Sequence, residues 1–178
     1  MIFLFSVIIP MAGSGSRAKT SMNKALVMIN GKPLFMYAYE LFKQFDCEII
    51  LVCKEDEIPI VKKYVDNNVI FALGGNTRAS SVYNGLLKAN YEYVLIPDAR
   101  FPNEIRKWWQ TDFDSITVRI ERMNKDDTEY DNGLSEEQKQ HPSETELDDW
   151  IFNYHVYNKY VTDLQNAARG IFKEMEKM

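Results

Sequence analysis

Over the first hundred positions, short unbroken apolar runs alternate with apolar residues at helical spacing. Residues 3–10 form one such run, the pattern of a parallel strand buried on both faces. A loop rich in Gly and Ser follows, to about residue 24. Residues 26–29 are a short apolar piece closed by the turn signal Asn30-Gly31. Pro33 is placed to open a helix in which Leu34, Ala38, Leu41, Phe42 and Phe45 share a face. Residues 48–53 predict a second strand, 58–65 a short helix and 69–72 a third strand. Gly74-Gly75 breaks the chain. Residues 79–89 then predict a helix with Val82, Leu86 and Ala89 on one face, and 93–96 a fourth strand ending at Pro97-Asp98.

The second half repeats the pattern more loosely. Pro102 predicts the start of a helix running through Trp108 and Trp109. Residues 115–120 alternate as a strand does. Residues 123–140 are polar and acidic, which predicts a mobile surface loop or lid. Ser143 followed by Glu146 matches a capping box. Residues 152–157 predict a strand and 161–178 a closing helix, with Leu164, Ala167, Ala168, Ile171 and Phe172 inward. Alternating strands and helices define an α/β fold: a three-layer α/β/α arrangement around a mostly parallel, Rossmann-like sheet. The length of 178 residues fits one domain, residues 1–178.

Composition narrows the function. A net charge of -5 argues against a nucleic-acid partner, which needs Lys and Arg against many phosphates. It leaves room for a small anion held by backbone dipoles and a few cations. No run approaches the ~20 apolar residues of a membrane span. Residues 1–10 lack a basic segment and lead into the loop, so they read as a strand rather than a signal peptide. Cys47 and Cys53 have no metal-ligand spacing and make no disulfide framework, which suits a reducing cytoplasm.

Ligands of such sheets bind beyond the carboxyl ends of the strands, so the loops there hold the candidate chemistry. In the first loop, Gly13 and Gly15 are free to take positive φ and to let phosphate oxygens reach the backbone. Successive amides through Ser14 and Ser16 could form an anion nest, with Arg17 as a fixed cation and Lys24 reaching the same anion. The competing reading is an ordinary strand-to-helix turn. The loop has neither the Walker spacing nor the third glycine of the dinucleotide fingerprint. In the second loop, Gly74 and Gly75 leave space for a flat ligand, and Arg78 and Ser81 offer polar contacts; a plain helix start is the alternative. In the third, Asp98 stands at a strand end, as a Mg²⁺ ligand or as a capping or paired carboxylate. His141 and His155 are isolated and read as structural or surface residues.

Residues 6–98 resemble 2-C-methyl-D-erythritol 4-phosphate cytidylyltransferase and its relatives. Three ordered segments carry the likeness: SVIIPMAGSGSRAKTSMNKALVMINGKPL, GGNTRASSVYNGL and YEYVLIPDA. The resemblance implies that Gly13 to Arg17 and Lys24 grip the phosphates of CTP. It implies that Gly74, Gly75 and Ser81 lie along base and ribose with Arg78 nearby, and that Asp98 binds Mg²⁺. Asn23 stands where that family usually has Pro. Residues 94–178 resemble the carboxyl half of phage-type deoxynucleoside monophosphate kinases through IPDARFPNEI, ITVRIER and HPSETELDDWIFNYHVYN. That likeness would put Asp98 and Arg100 near phosphates and bring Arg119 or Arg122 toward the acidic loop. Together the two imply a chimera of residues 1–97 and 98–178, joined near Tyr93 to Arg100 in a sheet that could stay continuous.

Three functions are consistent with these features. The first is a nucleotidyltransferase using CTP and an unidentified phosphate or hydroxyl acceptor, with Mg²⁺ and with Arg17 and Lys24 stabilising charge. The second is a folded chimera that binds nucleotide without turnover. The third is a nucleotide kinase, disfavoured because the Walker loop is missing.

Overall fold

A computed structural model describes residues 4–13, 23–109, 114–175 and 177. The chain divides into two compact units, residues 1–99 with 103–108, and residues 100–102 with 109–178.

The first unit is built on a four-stranded sheet in the order β5-β4-β1-β6, parallel throughout. Strand β1 is Phe5–Pro10, and a 3-10 turn spans Lys24–Leu26. Two short strands, β2 (Met28–Ile29) and β3 (Lys32–Pro33), form an antiparallel hairpin. Asn30 and Gly31 turn its corner at φ 48° and 82°, the left-handed pair that a two-residue hairpin turn needs. Helix α1 is Phe35–Phe42, β4 is Glu48–Cys53, α2 is Ile58–Val61, β5 is Ile70–Leu73, α3 is Arg78–Leu86 and β6 is Tyr93–Leu95.

The continuous apolar runs have the predicted consequence. Val7, Ile8, Ile50, Leu51, Val52 and Cys53 on the two central strands are fully buried. Each such aliphatic side chain contributes about 1.5–3 kcal/mol of burial free energy. Alternate residues face opposite layers. Val7, Ile9, Ile49 and Leu51 pack with Phe35 and Tyr39 of α1 and Val61 of α2. Ile8, Ile50, Val52 and Ala72 pack with Leu86 on the other face, below α3. The result is the expected three-layer α/β/α arrangement with a parallel Rossmann-like sheet. Gly85 sets the closeness of the α3 layer: a Cβ there would stand 2.7 Å from Ile8 Cγ2 and 3.2 Å from Val52 Cγ2.

Local details differ from the sequence reading. Pro33 does not open α1; it is the strand residue opposite Met28. Helix α1 begins two residues later and buries Phe35 and Tyr39, while Leu41 and Phe45 stay more than half exposed. The hairpin takes up Pro33, which rotates the buried stripe onto Phe35 and Tyr39.

Helix α4 (Pro102–Trp109) opens at the expected Pro102, and its residues 103–108 belong to the first unit; the second unit contains β7 (Val118–Arg122), α5 (Glu136–Lys139), α6 (Pro142–Thr145), β8 (Tyr154–Asn158) and α7 (Val161–Met175). Strands β7 and β8 pair with each other in a separate parallel sheet. The sheet is therefore not continuous across the chain. Strand β7 alternates half-buried Arg119 and Glu121 with exposed Val118 and Ile120, which is unlike the apolar runs of inner parallel strands. Just ahead of the pair, Thr117 and Asn153 exchange hydrogen bonds: Thr117 N donates to Asn153 Oδ1 at 2.8 Å, and Asn153 N to Thr117 Oγ1 at 3.2 Å. Ser143 lies inside α6 and does not precede it; the capping box of this region is Ser135 with Gln138, which starts α5 inside the stretch read as loop. Among the described residues no helix is long and apolar enough to cross a membrane.

Candidate functional site

The sheet order places a switch point beside β1: the chain goes outward to β4 and β5 on one side and returns through α3 to β6 on the other. Such a switch opens a crevice at the carboxyl ends of the strands. The segments reaching it are Ala12 and Gly13 after β1, Gly74 to Thr77 after β5, and Ile96 to Asp98 after β6.

Among the described residues, a Cβ on Gly13 would meet nothing within 4 Å. Gly13 does not use positive φ; among the described glycines only Gly31 and Gly133 do. Ser14, Gly15, Ser16 and Arg17 lie outside the described residues. Lys24 is exposed at the start of its 3-10 turn.

The second loop is tightly specified. A Cβ on Gly74 would collide with the Cβ of Ala12, so the loops after β1 and β5 touch there and only glycine fits. Gly74 N donates to Cys53 O at 2.8 Å, extending the ladder by one residue. Gly75 N donates to Ser81 Oγ at 3.0 Å, and Ser81 Oγ donates to Thr77 O at 2.9 Å. Thr77 caps α3 in a reciprocal box with Ser80. Gly74, Gly75 and Ser81 are thus brought together, by the same bonds that begin the helix.

Arg78, first residue of α3, reaches across to β6. Its Nη2 lies 2.9 Å from Asp98 Oδ2 and also donates to the Asp98 main-chain carbonyl. Its Nε pairs at 2.8 Å with Glu104 Oε1 of α4, whose side chain is 1% exposed. Arg78 therefore fixes the end of β6 and neutralises a buried carboxylate that the sequence reading missed. A Glu in the first turn of a helix is ordinarily explained by the helix dipole, so nothing local marked Glu104 as buried.

A second buried acid, Glu57, lies beside Asn23. Asn23 is buried, and its Nδ2 donates to Met11 O at 2.5 Å and to Glu57 Oε2 at 2.8 Å. Glu57 is 7% exposed, with Lys54 Nζ 3.7 Å from its Oε1. Nearby, burial pushes the Cys53 thiol up to about 12, with the Glu57 charge adding to it.

In the second unit, Arg100 Nη1 donates to Glu144 Oε1 at 3.4 Å. A cleft of about 360 Å³ is lined by Arg119, Glu121, Asp148, Trp150, Phe152 and His155. Arg119 Nε donates to Glu121 at 3.1 Å, Nη1 to Leu147 O at 3.1 Å and Nη2 to Asp148 at 2.9 Å. His155 Nε2 is 3.1 Å from Glu121, and its ring stacks on Tyr157 at 4.7 Å. His155 is thus part of a polar network, which its isolation in sequence concealed. Arg122 sits over the ring of Tyr130 at 3.9 Å and so touches the acidic segment.

A parallel sheet with helices on both faces and a switch point beside β1 defines a Rossmann-like α/β protein. The chain belongs to the family of 2-C-methyl-D-erythritol 4-phosphate cytidylyltransferase (IspD), whose pattern matches residues 5–109. Among its relatives, the enzyme of that name from Bacillus mycoides is 36% identical over 60% of this chain and 51% of its own length. The one from Clostridium kluyveri is 40% identical over 53% of this chain and 45% of its own. A solved structure, 4-diphosphocytidyl-2C-methyl-D-erythritol synthase from Anaerococcus prevotii, aligns over 76% of this chain and 61% of its own, at 22% identity and a TM-score of 0.43. The chain spans about half the length of the curated relatives it matches.

Proposed function

We propose that the first unit binds CTP in the switch-point crevice and transfers its cytidylyl group to a phosphate or hydroxyl acceptor. An acceptor oxygen attacks the α-phosphorus, the bond from that phosphorus to the β-phosphate bridging oxygen breaks, and pyrophosphate leaves. The observation that carries this reading is the placement of the Gly74, Gly75 and Ser81 turn and the Arg78–Asp98 pair at the carboxyl edge of one sheet, next to Gly13. In this reading Gly13 to Arg17 and Lys24 hold the triphosphate, Arg17 and Lys24 acting on the charge that grows in the transition state. Gly74, Gly75 and Ser81 flank base and ribose.

Among the described residues no three ligating groups converge. Asp98, with its side chain 45% exposed, suits a site where the protein gives one carboxylate and the triphosphate the remaining oxygens. Mg²⁺ bound there would supply charge neutralisation of the phosphates. Arg78 shares that carboxylate and holds its orientation.

A second reading, nucleotide binding without turnover, is favoured by the same ion pair, because Arg78 already engages Asp98 Oδ2. The kinase likeness of residues 98–178 is kept as part of the proposal of a chimera, with Arg100 in that half. The test is release of pyrophosphate from CTP with Mg²⁺ across a panel of sugar and polyol phosphates, beside calorimetry with CTP. Lys24→Ala and Arg17→Ala are expected to weaken CTP binding about tenfold each, as loss of a charged hydrogen bond does. Unchanged binding in both would refute the site; binding without pyrophosphate release would select the second reading.

A further inference from the structure

We propose that Asn23 and Glu57 form a latch that joins Met11 to the turn beginning at Lys24 and so presents Lys24, which makes Glu57 a positioning residue for triphosphate binding. The inference rests on the nucleotide reading above for its ligand and on the geometry around Asn23 for its mechanism. Both hydrogens of the Asn23 amide are used: one goes to Met11 O, on the chain before the loop, the other to the Glu57 carboxylate after β4. Asn23 Oδ1 accepts from Ala25 N at 3.0 Å and so starts the turn that begins with Lys24. One side chain therefore ties Met11 to the turn at Lys24, fixes the backbone on either side of Lys24, and anchors both to the Glu57 carboxylate.

The burial of the pair makes the latch stiff. Asn23 is 6% exposed and Glu57 7%, so water does not compete for these bonds. Glu57 Oε2 also accepts from Lys54 N at 3.4 Å, which ties the carboxylate to the end of β4. Ordering a side chain and its turn costs entropy, and a turn held before ligand arrives removes that cost from binding. Asn23 has φ -59°, the value a proline ring would fix unaided, with ψ 125°. Here hydrogen bonds help hold the φ that a ring would hold covalently. A proline at 23 is therefore expected to fit the backbone and to make Glu57 dispensable for the turn.

The experiment is a four-member set on the full chain: wild type, Glu57→Ala, Asn23→Pro and the double variant. CTP affinity is read by calorimetry, and amide hydrogen exchange at Ala25 is read without ligand. With Asn23 present, Glu57→Ala is expected to weaken CTP binding about tenfold and to speed Ala25 exchange. In the Asn23→Pro background the same change is expected to alter affinity less than about twofold. Glu57→Gln, which keeps a carbonyl acceptor for Asn23, is expected to keep near-native affinity, and Glu57→Met, which has no acceptor of that kind, replaces Glu57→Ala if that variant does not fold. Unchanged Ala25 exchange in Glu57→Ala overturns the latch, whatever CTP does. Equal loss of affinity in both backgrounds overturns the positioning role. A wild-type chain that does not bind CTP overturns the nucleotide reading, and Ala25 exchange still decides the latch.

Discussion

Removing the guanidinium of Arg78 is expected to cost far more than a surface ion pair is worth. Glu104 is 1% exposed and its Oε1 lies 2.8 Å from Arg78 Nε. Arg78→Met keeps most of the side chain's volume but strips the buried carboxylate of that charge partner. Breaking a buried pair from one side costs about 3–5 kcal/mol. Arg78 is itself about one-quarter exposed, so water reaches part of the site and the low end, about 3 kcal/mol, is expected. Glu104→Leu leaves the guanidinium with Asp98 at 2.9 Å and a share of solvent, so its cost is expected to be smaller, about 2 kcal/mol. The double variant Arg78→Met, Glu104→Leu replaces the pair by apolar groups and is expected to lie above Arg78→Met in stability. Urea unfolding followed by far-ultraviolet circular dichroism gives the three differences, and the cycle gives the coupling. A coupling above about 1 kcal/mol supports the account, whereas additivity within about 0.5 kcal/mol would refute it. The same Arg78→Met variant removes the guanidinium from Asp98 Oδ2, so CTP affinity in the presence and absence of Mg²⁺ reports whether that pair is part of the crevice.

Two further outcomes follow from the packing and the hydrogen bonds of the first unit. Gly85→Ala raises helix propensity by about 1 kcal/mol yet is expected to destabilise by about 1–3 kcal/mol, because its Cβ would press on Ile8 and Val52; a raised unfolding midpoint would disprove the close packing of α3. Glu48 is pushed up by burial, but hydrogen bonds from the Asn90 side chain and backbone and from Ser6 outweigh this and hold its carboxyl below the ordinary glutamate value. A lowered folded value means that its stabilisation is full above the unfolded glutamate range and is lost as pH falls through the folded one. Glu48→Gln is therefore expected to flatten the acid limb of stability against pH, and an unaltered limb would count against the carboxylate's role.

The layered fold was legible because its signal is period and hydrophobicity. Residues 48–53 read as a strand and are β4 without change. The helix after Gly74-Gly75 was found within a residue at its start, because Thr77 and Ser80 cap it locally. Pro33 misled because the same residue suits a helix start and a strand edge, and the decision was made by the partner Met28 across the hairpin. The second unit was read less well: its strands alternate weakly, and among its described residues only Thr117 and Leu147 are buried. In the loops, small residues and cations stand out in the sequence. The buried acids Glu57 and Glu104 do not, because burial of a carboxylate depends on partners distant in sequence. Arg78 and Glu104 meet across 26 positions, with no periodicity to announce it.

That last pair constrains how the first unit could be transplanted. Every described residue of the crevice up to Asp98 comes from its strands and turns, yet the buried counter-charge of Arg78 lies six positions further on, in α4. A fragment cut after β6 would carry those turns intact and leave Arg78 without Glu104. Only a fragment that runs beyond residue 104, or a host helix with a glutamate at that place, would keep the pair, so one carboxylate sets where the unit can be cut.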